Sequence, residues 1–173
     1  MVGHDLEEFE TYYKTLSSLN DYYINHGWRE PGPLELGEDE RNHIERNLSH
    51  LIIWMKDNQI VGHTIWHETS TEEMIPGDQR TDSDRNTLHK LLGGSKEDLA
   101  ELHEIWLRPE HRGKSYGQRF FEFFEQFVQD RGFEGIVYYA TDTAAISICR
   151  RRGYKEANTE SEGLYVFTKM FNS

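Results

Sequence analysis

The sequence predicts a mixed α/β protein, a sheet flanked by helices, and three observations carry that prediction. Residues 51–55 and 60–66 are two apolar, β-branched-rich runs separated by Asp57-Asn58-Gln59, the pattern of a hairpin. Residues 100–107 and 133–141 read as further strands, each followed by a stretch with helical spacing, 117–131 and 143–152, and a last strand-like run spans 164–171. Within 117–131, Phe120, Phe121, Phe124, Phe127 and Val128 fall on one helix face, an aromatic stripe expected to be core. Gly132 and Gly153 stand where glycines end helices.

The remaining elements follow in order. Asp5 with Glu8 three residues on reads as a helix start, and Leu6, Phe9, Tyr13, Leu16, Leu19 and Tyr23 recur at helical spacing up to Gly27. Residues 29–37 form a Pro/Gly loop, and 38–47 read as a second helix. Residues 68–98 are polar, with Pro76 and Gly77 early and Gly93-Gly94 late, and read as an insertion or long connection with a short helix over 84–92. A connection of this length is a candidate substrate lid.

At 173 residues the chain is expected to form one domain with a substantial core, carried largely by nine Phe, nine Tyr and four Trp. No apolar run approaches the roughly 20 residues that span a bilayer. The first residues have neither a basic nor an apolar leader region, so no secretory signal is expected. The single cysteine excludes an intrachain disulfide framework. These features predict a soluble, cytoplasmic protein. A formal net charge of −12 argues against general affinity for nucleic acid or anionic lipid and is compatible with a cationic acceptor such as an amine.

Against that acidic background one basic segment stands out. Residues 107–117 (Leu-Arg-Pro-Glu-His-Arg-Gly-Lys-Ser-Tyr-Gly) link a predicted strand to a predicted helix. The first N–H groups of a helix have no intrahelical acceptor, and the helix dipole favours an anion there. Gly113 and Gly117 allow close approach of a ligand to the backbone, and Arg112 and Lys114 add positive charge.

The segment resembles the acyl-CoA pyrophosphate loop of the GNAT family of N-acetyltransferases, whose pattern after a β-strand is Gln/Arg-x-x-Gly-x-Gly/Ala. Arg112 takes the first position and Gly117 the last, and Ser115 stands where the middle glycine usually is. Residues 142–154 resemble a later motif of that family, Asn-x-x-Ala-Ile-x-Leu-Tyr-x-Lys-x-Gly-Phe. Ala145, Ile146, Ile148, Gly153 and Tyr154 match in kind, Asp142 replaces the Asn and Cys149 replaces the Tyr.

The resemblance implies a single N-acetyltransferase domain over 1–173, with 68–98 an insertion or long connection within it. It implies a central, mostly antiparallel mixed sheet flanked by helices, with a splayed strand pair forming the acyl-CoA cleft. Family members open on a strand before the first helix; no such strand is legible here, and the chain is expected to begin in the helix. The activity implied is transfer of an acetyl group from acetyl-CoA to a primary amine of a small molecule or peptide by direct attack. The alternative is a non-catalytic acyl-CoA-binding or regulatory module on the same scaffold. A homodimer is compatible with the resemblance, and no motif specifies an interface.

Such a transfer needs an anchored cofactor, a polarised thioester carbonyl, a deprotonated amine and a stabilised leaving thiolate. Anchoring falls to Arg112, Gly113, Lys114, Ser115, Tyr116 and Gly117, and the resemblance puts the Leu107 main-chain N–H near the thioester carbonyl. Asp142 takes the position of a cofactor-holding Asn, although an ionised Asp accepts hydrogen bonds and does not donate them. For the base, strand alternation places Glu101, His103, Ile105 and Leu107 on one face, so Glu101 and His103 are candidates, and a bulge would bring Glu104 inward instead. Cys149, at the position of the family's usual acid, is a candidate proton donor, with Tyr138, Tyr139 and water as other sources. No metal is expected. His63 and His67 are four apart on a predicted strand, hence ~13 Å apart at ~3.3 Å per residue, too far to share an ion. With Met1 removed, Val2-Gly3-His4 is suited only to adventitious copper or nickel.

Overall fold

The computed structural model describes residues 6–10, 49–56, 59–72, 81–113 and 115–171. They build a seven-stranded sheet in the order β1-β2-β3-β4-β5-β7-β6. The strands are β1 (Leu6–Glu10), β2 (Ser49–Lys56), β3 (Gln59–Thr69), β4 (Leu99–Leu107), β5 (Gly135–Ala140), β6 (Lys155–Asn158) and β7 (Tyr165–Met170). All neighbours pair antiparallel except β4 and β5, which run parallel. The helices among the described residues are α1 (Asp82–Leu92), α2 (Tyr116–Asp130) and α3 (Thr143–Arg151), and a 3₁₀ turn spans Pro109–His111. The mixed, mostly antiparallel sheet is the architecture expected.

The start of the chain corrects the reading above. Leu6–Glu10 is a strand paired with β2, from Leu6 opposite Trp54 to Glu10 opposite His50. The Asp5/Glu8 capping signal is local, and the hydrogen-bond ladder offered by β2 overrides it. The opening strand thought missing is therefore present. The rest of the first predicted helix, the 29–37 loop and the 38–47 helix lie outside the described residues.

Two cores flank the sheet. On one side α2 and α3 bury Phe120, Phe121, Phe124, Val128, Ala145, Ile146 and Cys149 against Trp54, Trp66, Leu102, Ile136, Tyr138 and Phe167. Each large side chain removed from water in this way contributes about 1.5–3 kcal/mol. On the other side Leu88 and Leu92 of α1 pack on Leu99, Val137 and Val166. The strand sequences alternate accordingly: Ile136, Tyr138 and Ala140 of β5 face α2, and Val137 faces α1. The helix foreseen inside 68–98 is α1. Thr81 caps its start through the Asp84 N–H, and Gly93, at φ 73°, ends it. Leu88 is fully buried, so α1 packs as part of the second layer.

A charged knot sits inside the first core. The Glu125 carboxylate of α2 accepts from Arg152 Nε at 2.7 Å, from Lys169 Nζ at 2.9 Å and from the Tyr154 hydroxyl at 3.0 Å. Burial pushes its pKa up, but the hydrogen bonds and charges of Arg152 and Lys169 outweigh burial and hold it below the usual carboxylate value. Burial and the Glu125 charge push the Tyr154 phenol up, so it stays a hydrogen-bond donor.

Two irregularities of β4 shape everything that follows. Opposite β3, Ile65 pairs with Glu104 while the next residue, Trp66, pairs with Leu102, so His103 is an extra residue, a β-bulge. Opposite β5, pairing runs from Leu99–Gly135 to Leu102–Tyr138 and stops. Beyond Leu102 the two parallel strands part.

Candidate active site

The bulge resets the alternation of β4. Ala100 and Leu102 face α2, and after the extra residue Ile105 and Leu107 again pack towards α2. Glu101 and His103 fall on the other face, with His67 of β3 across from Glu101. The single shared face expected for Glu101, His103, Ile105 and Leu107 is thus divided in two. The cause is the one extra residue, which shifts the period of the strand by one.

On the α2 side, where β4 leaves β5, a cleft of about 630 Å³ opens, within the size range of cofactor sites. Leu107, Arg112, Gly113, Ser115, Gly117 and Asp142, all expected in the site, line it. Close packing positions Leu107: a Cβ on Gly62, its partner on β3, would collide with the Trp106 carbonyl and lie 2.9 Å from Leu107 Cδ2. Only glycine admits β4 at that distance. The Arg112 Nε donates to the Leu107 carbonyl at 2.8 Å and its guanidinium lies 5.6 Å from the Trp106 ring centre. The loop is thereby folded back onto the end of β4.

The helix that starts at this cleft differs from the other two. Thr81 caps α1 and Asp142 caps α3 with side-chain oxygens, the latter accepting from the Ala145 N–H at 2.9 Å. Ser115 at the start of α2 makes no side-chain capping bond. The first amides of α2 and the positive end of its dipole therefore face the cleft, an arrangement suited to an anion. Ser115 itself has φ 66° and is the described non-glycine residue with positive φ, in the position where the motif usually has glycine. That conformation costs an L-residue roughly 1–2 kcal/mol. Ser115→Gly is expected to stabilise the fold by up to about 1 kcal/mol, the relief of strain less the added freedom of the unfolded chain. Urea unfolding measures it, and a less stable variant would show that the hydroxyl contributes more than the strain costs.

Other expected site residues lie elsewhere. The Tyr116 ring turns into the core, 5.0 Å from the Trp54 ring and 4.9 Å from the His111 ring, and does not line the cleft. Cys149 is wholly buried, faces the sheet, and does not line the cleft. Burial, with the Glu125 charge adding to it, pushes its thiol up to about 12. The expectation of Cys149 as proton donor is corrected on these grounds. Lys114 and the Glu104 side chain lie outside the described residues. Tyr138 does line the cleft, whereas Tyr139 packs towards the opposite core.

Arg151 is a lining residue that the sequence reading missed. Ala144, Ser147, Ile148 and Arg151 share one face of α3 at helical spacing, and that periodicity was the available signal.

A parallel strand pair that parts beside an uncapped helix N-terminus leaves an anion-suited cleft in this mixed α/β fold. The chain belongs to the acetyltransferase (GNAT) family, whose family model matches residues 12–154. Among curated proteins none matches this sequence. Solved structures share the fold at low identity. A polyamine N-acetyltransferase of Drosophila melanogaster that forms N-acetylagmatine superposes with TM-score 0.60 at 14% identity, covering 96% of this chain and 100% of that one. A mosquito arylalkylamine N-acetyltransferase-like protein gives TM-score 0.61, also at 14% identity, over 96% and 100%. The PaiA N-acetyltransferase of Thermoplasma acidophilum, in complex with coenzyme A, gives 0.54 at 13% identity over 96% and 99%. No helix among the described residues is long and apolar enough to cross a membrane.

Proposed function

We propose that this acetyltransferase carries an acetyl group from acetyl-CoA to a primary amine of a small molecule or peptide, by direct attack of the amine on the bound thioester. The observation that carries the reading is the uncapped N-terminus of α2 opening onto a cleft where β4 leaves β5. The α2 amides, with Arg112 and Arg151 at the rim, are suited to the pyrophosphate. The pantetheine arm enters between the parted strands and brings the thioester to the end of β4, where the Leu107 N–H polarises its carbonyl.

The amine approaches from the other face of β4. Glu101 and His103 stand there, with the carboxylate Oε2 3.6 Å from His103 Nε2, and they receive the ammonium proton directly or through water. Attack forms the C–N bond, the tetrahedral intermediate collapses with loss of the C–S bond, and the thiolate takes a proton from Tyr138 or from water. Glu104 remains a candidate for the same task. The net charge of −12 fits a cationic acceptor.

Calorimetric titration with acetyl-CoA, followed by thiol-release assays across an amine panel, tests the reading. Glu101→Gln and His103→Ala are each expected to lower kcat about 10²-fold while leaving acetyl-CoA affinity within a factor of two or so. Normal turnover in both variants would move the base to Glu104, and absence of acetyl-CoA binding by the folded protein would overturn the function.

A further inference from the structure

The face of the sheet opposite the cleft holds a second cluster of chemistry, built by the β4 bulge. His67 of β3 lies directly across from Glu101 of β4, and the extra residue His103 folds back over that pair. The Nε2 atoms of both histidines converge on one carboxylate oxygen: His67 at 3.9 Å and His103 at 3.6 Å from Glu101 Oε2. The two imidazole rings lie 4.3 Å apart at 31°. One ligand atom from each of the three residues falls within 4.8 Å of the other two.

We propose that His67, Glu101 and His103 form a binding site for a divalent transition metal, zinc foremost. Distance supports it first. Bonds of about 2.0–2.1 Å at tetrahedral angles place neighbouring ligand atoms roughly 3.3 Å apart. The two contacts to Glu101 Oε2 exceed hydrogen-bond length and need to shorten by roughly 0.3 Å at His103 and roughly 0.6 Å at His67 to reach that edge. The donor set is the second support: two imidazoles and one carboxylate are the three protein ligands of an open zinc site, with water completing the fourth position. Exposure falls the right way for such a site. The His67 and Glu101 side chains are 4% and 11% exposed and form a dry floor, and His103 at 27% leaves a path from solvent. Spacing along the chain conceals the group because its ligands come from two strands, joined by register and a bulge.

The same atoms are those that receive the amine proton under the function proposed above, so on that reading a bound metal suppresses acetyl transfer. Binding itself does not depend on that reading.

The test titrates metal-stripped full-length protein with Co²⁺ alone and then with Zn²⁺. One equivalent of Co²⁺ is expected to produce the intense visible absorption of a tetrahedral ion, and one equivalent of Zn²⁺ to abolish it. His103→Ala and His67→Gln should each weaken Co²⁺ affinity by more than about 100-fold, beyond what loss of an outer-shell partner gives. Circular dichroism verifies their folding, and His103, on the open side, serves should His67→Gln not fold. No saturable binding, or binding unchanged in a folded variant, overturns the site. Acetyl transfer assayed in the same samples separates the two proposals. Intact transfer without metal binding sinks the metal site alone, and metal binding by a protein that acetylates no amine even when metal-stripped sinks the function alone.

Discussion

Gly117→Glu is expected to reduce acetyl-CoA affinity by more than about 100-fold, which is roughly 2.7 kcal/mol. Gly117 is the second residue of α2 and lines the cleft, with a virtual Cβ 3.0 Å from Ile148 Cδ1. A glutamate there does two things. Its carboxylate occupies the positive end of the helix and cancels an attraction worth about 0.3–2 kcal/mol for the incoming anion. Its bulk also separates the pyrophosphate from the first α2 amides, and each charge-assisted hydrogen bond lost costs about 1.5–3 kcal/mol. Folding should survive, because acidic side chains suit the first turn of a helix and the Ile148 terminus can move. Gly117→Ala is the companion variant, adding a Cβ without charge. It should bind several-fold more weakly than the parent and much more tightly than Gly117→Glu. Isothermal titration measures both, and equal affinity across the three proteins would remove the phosphate site from this loop.

The second large effect concerns the buried carboxylate of α2. Glu125→Ala is expected to cost about 3 kcal/mol, the lower end of the range for breaking a buried ion pair. The lower end applies because the partners, Arg152 at 19% and Lys169 at 27% side-chain exposure, can turn partly to water. For a chain of this size that is a fall in Tm of about 6–12 °C. The pH dependence has a definite sign. The folded-state pKa of Glu125 is lowered, so its stabilisation is fully present above the unfolded value of about 4.3 and is lost as pH falls through the folded one. The parent should therefore lose stability between neutral and acid pH more steeply than Glu125→Gln, which carries no such proton. Urea unfolding at pH 7 and near pH 3 decides it, and parallel pH profiles would show that the network contributes no linkage.

The parts of this molecule legible in the sequence are those fixed by local pattern. The aromatic stripe of α2 announced its buried face, and the basic Gly-containing loop announced the helix N-terminus because both signals lie within one turn or one element. The strands that escaped notice, β1 and β6, are the two edges of the sheet. Their sequences, Leu-Glu-Glu-Phe-Glu and Lys-Glu-Ala-Asn, carry no apolar alternation, and a neighbour's ladder defines them. A bulge in this strand was an open alternative in the sequence, but its place at His103 was beyond reach for a related reason: it exists only as a mismatch in length between β3 and β4. That one residue decided which candidates share the cleft and which do not. Cys149 illustrates a signal that was available. Ile146 and Cys149 form the inward stripe of α3, Ala145 lies at its border with the cleft, and helical phase alone separates that stripe from the cleft face of Ala144, Ser147, Ile148 and Arg151.

The Glu125 knot also has a mechanical side. Its carboxylate belongs to α2, Arg152 closes the end of α3, and Lys169 of β7 holds both the carboxylate and, at 3.1 Å, the Arg152 carbonyl. The two helices that wall the cleft are thus riveted to each other and to the sheet at the ends remote from its mouth. The spacing of the two cleft walls is therefore held by directional bonds to one carboxylate as well as by apolar packing.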